Sequence, residues 1–70
     1  MKTVRGTVRK NNLEGGIWTI ETPEKKIYQL KDGPEKIYKD GATITVKGKI
    51  RTDMMGIGMI GPIFEVHDWQ

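Results

Sequence analysis

The side chains that could move protons are few in this chain. One histidine, His67, stands beside Asp68, and the carboxylates are Glu14, Glu21, Glu24, Asp32, Glu35, Asp40, Asp53, Glu65 and Asp68. A His–Asp pair can form half of a catalytic unit. Neighbouring residues of a strand point to opposite faces, however, so these two cannot readily bond one another in an extended segment. The remaining carboxylates show neither the clustering of a cation cage nor the pairing of an acid–base couple. There is no serine and no cysteine, which removes the commonest hydroxyl and thiol nucleophiles, a thiolate metal site and a disulfide. These residues predict a non-catalytic protein with no metal, no cofactor and no small-molecule substrate.

Two groups of residues fit binding chemistry better. Arg5 and Arg9 alternate on one side of the first extended segment, as Lys47, Lys49 and Arg51 do on a later one. If those segments lie side by side, their outer faces form a basic stripe. Like charges set opposite each other cost stability, so such a stripe suits a phosphate backbone, single-stranded nucleic acid above all. The competing reading is a solvated cationic face, partly neutralised by Glu65, that guards against edge pairing. The net charge of +3 permits either reading.

The second group lies in "DMMGIGMIGP", residues 53–62, where three of the four methionines stand among three glycines. Glycine lets the chain bend, while methionine offers adaptable apolar surface. With Leu13 and Ile17 across the mouth of the fold, Met54, Met55 and Ile57 make a candidate interface for another protein or a second copy of this one. The alternative is that these methionines fold back and cap an open end. Trp69 poses the same choice between covering an edge and joining an interface.

Seventy residues make a single domain, residues 1–70, burying only about 60% of the unfolded surface. Alternation with period two predicts strands. In "TVRGTVRK", Val4, Gly6 and Val8 face one way and Thr3, Arg5, Thr7 and Arg9 the other. "GIWTIET" and "KIYQLK" follow, joined by "TPEK". A three-residue loop, Pro23 to Lys25, sets Ile20 opposite Tyr28 and Trp18 opposite Leu30, which keeps both strands two-faced. On that register Trp18 and Tyr28 lie in the core, and the outer face carries no ring on which a base could stack. Pro34 and Gly41 bracket about two turns of helix, with Ile37 and Tyr38 plugging one end of the fold. "ATITVKGKIR" and "IFEVHD" supply the last two strands, with Gly48 at a bend and pairing expected only after Pro62.

The order β-β-β-short helix-β-β is that of an all-β, five-stranded OB-fold-like barrel with one short helix or 3-10 turn between strands three and four. The chain resembles small stand-alone bacterial OB-like domains of unassigned function. The likeness rests on Glu14-Gly15-Gly16, Trp18, Tyr28-Gln29-Leu30, Gly33, Asp40-Gly41, Val46, Gly48, Ile50 and Gly61. Such domains often carry cysteines near the places of Ile17 and Gly58, and this chain has none, so nothing resting on a cysteine pair carries over. The resemblance implies a fold and no reaction. No apolar stretch approaches the roughly 20 residues that span a bilayer, and the charged, alternating N-terminus lacks a signal-peptide core. The expectation is a cytoplasmic, non-catalytic binding or adaptor module with no membrane association. Its expected partner is a protein or itself, with nucleic acid as the alternative.

Overall fold

A computed structural model describes residues 1–12, 16–51 and 61–70. It is all-β, with five strands in one sheet: β1 (Lys2–Asn11), β2 (Ile17–Glu21), β3 (Ile27–Lys31), β4 (Thr43–Arg51) and β5 (Ile63–Trp69). The pairings run β1-β2-β3-β5-β4, and β4 returns to β1, so the sheet closes on itself. All ladders are antiparallel except β3 with β5. The ten-residue β1 is shared between two neighbours: Lys2 to Thr7 pair with β4, and Thr7 to Asn11 pair with β2.

The β2–β3 register is the expected one, with Ile20 opposite Tyr28. Its loop is the three residues Pro23 to Lys25. Lys25 takes a left-handed conformation, φ 66°, and its N–H donates to the Thr22 carbonyl at 2.9 Å. A turn closed by a left-handed residue is the standard geometry for a hairpin loop of this length. The Thr22 hydroxyl also accepts the Lys26 N–H at 3.1 Å.

Inward residues of every strand meet in one core: Val4, Ile20, Tyr28, Val46, Phe64 and Val66, with Ile37 entering from outside the sheet. Ile37 belongs to a single 3-10 turn, Glu35–Ile37, after Pro34. That is shorter than the two turns the sequence suggests, yet it plugs the fold as expected. Two inward glycines allow the sheet to bend this tightly. A Cβ on Gly6 would collide with the Glu21 carbonyl, and one on Gly48 with the Glu65 carbonyl. Beside Gly48 the β4–β5 register shifts, so that Lys47 faces Asp68 while Gly48 faces Val66. His67 is thus the extra residue of a bulge, a device that steepens local twist.

Trp18 corrects the sequence reading. It lies in the inward row of β2 but is only half-buried. Lys10 opposes it across the β1–β2 ladder, one step beyond the fully buried Val8–Ile20 pair. The indole therefore sits past the end of the core, stacked on Tyr38 from the segment that follows the 3-10 turn. Tyr28, by contrast, is buried and meets Phe64 edge-on.

Candidate interaction surfaces

The basic residues are only partly brought together. Arg5, Arg9, Lys47 and Lys49 are all exposed, and strands β1 and β4 are neighbours. Arg5 lies opposite Thr45, and Lys47 lies opposite Thr3, so these two cations are diagonal neighbours. Arg9 is on the half of β1 that pairs with β2, opposite Thr19, and stands apart from the β4 cations. On the other side of β4, strand β5 supplies acid: Asp68 faces Lys47, and Glu65 faces Lys49. Arg51 is half-buried, and its guanidinium donates to the Glu65 carboxylate. The arrangement is a cationic face interleaved with carboxylates, which weakens the field that would gather a phosphate chain.

Glu65 is the hub of that face. Its second oxygen lies 2.8 Å from Nε2 of His67. Asp68, the expected non-partner of His67, instead accepts the Trp69 N–H at 2.9 Å. Among the described residues no three His, Asp or Glu side chains converge as a metal site would require. No helix there is long and apolar enough to cross a membrane.

A feature the alternation does not reveal lies on the outer face of β2, β3 and β5. Thr19, Gln29 and Ile63 form a row across the three strands, and all three are buried although they point outward. Their polar groups are used internally. The Thr19 hydroxyl donates to the Arg9 carbonyl at 3.3 Å, and the Gln29 amide donates to the Gly61 carbonyl at 3.1 Å. The Gln29 backbone N–H donates to the Pro62 carbonyl at 2.9 Å. Gly61 lies so close to β3 that a Cβ there would strike the Ile27 carbonyl. A signal was present in the sequence: a solvated strand face normally carries charge, and this row has none.

Of the apolar candidates, Ile17 is half-buried at the start of β2, opposite Asn11. Leu13, Met54, Met55 and Ile57 lie outside the described residues. The ends of the methionine-bearing segment are fixed: Arg51 and Ile63 pair with one another, and Gly61 and Pro62 are bonded to Gln29. Its two described ends are thus held at β5 and, through Gly61 and Pro62, at β3. Trp69 is 38% exposed, opposite Val46 at the end of β5.

Two adjoining grooves, of about 320 and 290 Å3, flank Arg5 where the β2–β3 hairpin loop approaches β1. Comparison with protein-family models, curated proteins and solved structures finds no match.

Proposed function

We propose that this chain is a small OB-like barrel serving as a non-catalytic binding or adaptor module, with a protein partner or a second copy of itself. The OB assignment is supported by the cyclic strand order, the parallel β3–β5 pair, the divided β1 and the plug between β3 and β4. The observation that carries the functional reading is the buried Thr19–Gln29–Ile63 row. The strand face on which OB domains usually stack bases has no exposed ring here, and its polar groups already serve the protein's own backbone. The contact surface in this reading is the apolar set Leu13 and Ile17, from the first loop and β2, with Met54, Met55 and Ile57 from the connection between β4 and β5.

Sedimentation measurements from micromolar to millimolar concentration test self-association. The wild type should associate with rising concentration, and Met54→Glu combined with Met55→Glu should remain monomeric. A wild type that stays monomeric throughout removes the second copy as partner. The second reading, single-stranded nucleic acid along β1 and β4, is favoured by the exposure of Arg5, Arg9, Lys47 and Lys49. It predicts oligonucleotide binding at low salt that weakens steeply as salt is added. Amide shifts centred on Arg5 and Lys47 in such a titration would replace the protein-binding reading.

A further inference from the structure

Among the described residues, the divided partnership of β1 leaves half of one strand edge without a strand beside it. Pairing with β2 begins only at Thr7, so among the described residues Lys2 to Gly6 pair with β4 alone. The direction of the backbone groups follows from their alternation along a strand. The Val8 N–H donates to Ala42 at 2.7 Å, and the Val8 carbonyl accepts the Gly41 N–H at 2.7 Å. Even-numbered residues of β1 thus bond toward β4. The Arg9 carbonyl accepts from the Thr19 hydroxyl on β2, so odd-numbered residues bond the other way. Thr3 and Arg5 consequently aim their N–H and C=O groups away from β4, ahead of the point where β2 takes them up. The two grooves beside Arg5 lie along this edge.

The chemistry around the edge selects an occupant. Lys2, Arg5, Lys25 and Lys26 line the grooves against Glu21 and Glu24, an excess of positive charge. The buried Val4 and Tyr28 line the second groove from within. A second copy pairing by this edge would bring two sets of Lys2 and Arg5 onto one short ladder, which is repulsive. We propose that the β1 edge from Lys2 to Arg5 accepts an extended acidic peptide of a partner protein as an added strand. Thr3 and Arg5 supply the backbone bonds. Alternate acidic residues of the peptide face Arg5, and its apolar residues face Val4 and Tyr28. No residue of the methionine-bearing segment contributes to this site as proposed, so the proposal does not depend on that segment.

The probe is a synthetic heptapeptide alternating glutamate and valine, titrated into the isotopically labelled full chain while amide shifts are followed. Shifts should concentrate at Lys2 to Gly6 and at the hairpin loop, and the Thr3 and Arg5 amides should exchange more slowly with solvent. Arg5→Glu should weaken binding by at least about tenfold, the scale of one lost charge pair plus its bond. Thr3→Pro removes an edge donor without changing any charge or any bond to β4, and it should weaken binding comparably. A peptide N-methylated at alternate amides should fail to bind the unaltered protein, which gives the same test without any substitution. The Met54→Glu, Met55→Glu variant should bind the peptide as the wild type does. Absence of shifts at millimolar peptide would overturn the proposal. So would equal binding of the lysine–valine counterpart or of the N-methylated peptide. Shifts produced at the same residues by a thymidine oligonucleotide and not by the peptide would assign the grooves to phosphate instead.

Discussion

The indole of Trp18 lies nearly parallel to the ring of Tyr38, with centroids 5.6 Å apart and planes inclined by 19°. Lys10 Nζ stands 5.9 Å from the indole centroid, and the Tyr38 hydroxyl accepts the Gly33 N–H at 3.0 Å. This assembly joins β1, β2 and the chain after the 3-10 turn at one end of the fold. Tyr38→Phe keeps the stack and loses only the bond to Gly33, so it should cost about 1 kcal/mol. Tyr38→Ala also loses the ring contact and its burial, and should cost about 2–3 kcal/mol. Urea unfolding of the two variants separates the contributions, and equal costs would show that the stack adds nothing.

Gly48 and Gly41 differ in what an added methyl would meet. At Gly48 a Cβ would run into the Glu65 carbonyl, part of the β4–β5 ladder, whereas at Gly41 there is open space but a φ of +89°. Gly48→Ala should therefore cost about 3 kcal/mol or more, since backbone must move. Gly41→Ala should cost about 1–2 kcal/mol from conformational strain alone. Thermal unfolding should rank them in that order, and the reverse ranking would mean that β5 moves aside cheaply.

Phe64 is completely buried and packs edge-on against Tyr28, centroids 5.9 Å apart. Phe64→Ala should cost about 3–5 kcal/mol. A domain of this length has on the order of 4–10 kcal/mol in total, so the variant should lose roughly a third or more of its stability. Circular dichroism with a denaturant titration checks this. A variant with near wild-type stability would show that the core closes over the gap.

Glu65 holds Arg51 on one side and His67 on the other. Both charged partners of the Arg51–Glu65 bridge are partly shielded, with side-chain exposures of 31% and 16%. A double-mutant cycle with Arg51→Met and Glu65→Gln should give a coupling of about 1 kcal/mol, the upper end for pairs still in contact with water. The same Glu65→Gln change removes the carboxylate that faces Lys49. If nucleic acid binds along β1 and β4, the variant should bind oligonucleotides more tightly than the wild type. Unchanged affinity would count against that reading.

How much was legible in the sequence depended on what period two can encode. It encodes the face of a residue: Val4, Val8, Ile20 and Tyr28, which the alternation sets inward, are buried in the structure, while Leu30, set inward by the same register, is only partly buried against the core. The hairpin loop from Pro23 to Lys25 was legible because only one loop length kept both strands two-faced. Period two does not encode how deep along its strand a residue sits. Trp18 points as expected but lies one pair beyond the core, where its stacking partner comes from a different element. Nor does it mark where a strand exchanges one neighbour for another. The alternation therefore groups Arg9 with Lys47 and Lys49, whereas the division of β1 sets it beside Thr19. The bulge at His67 and the buried outer row both depend on how distant segments meet, which no local pattern reports.

The position of β5 in the sheet has a consequence for the chain's biosynthesis. β5 is bonded to both β3 and β4, and it carries Phe64 and Val66 into the core. During translation the earlier strands emerge with two ladder edges unfilled and the interior without Phe64, its largest fully buried side chain. Until β5 leaves the ribosome tunnel, the nascent chain exposes the kind of surface that chaperones and neighbouring nascent chains engage. Closure of the sheet, as distinct from its β1–β2–β3 and β1–β4 ladders, waits on β5.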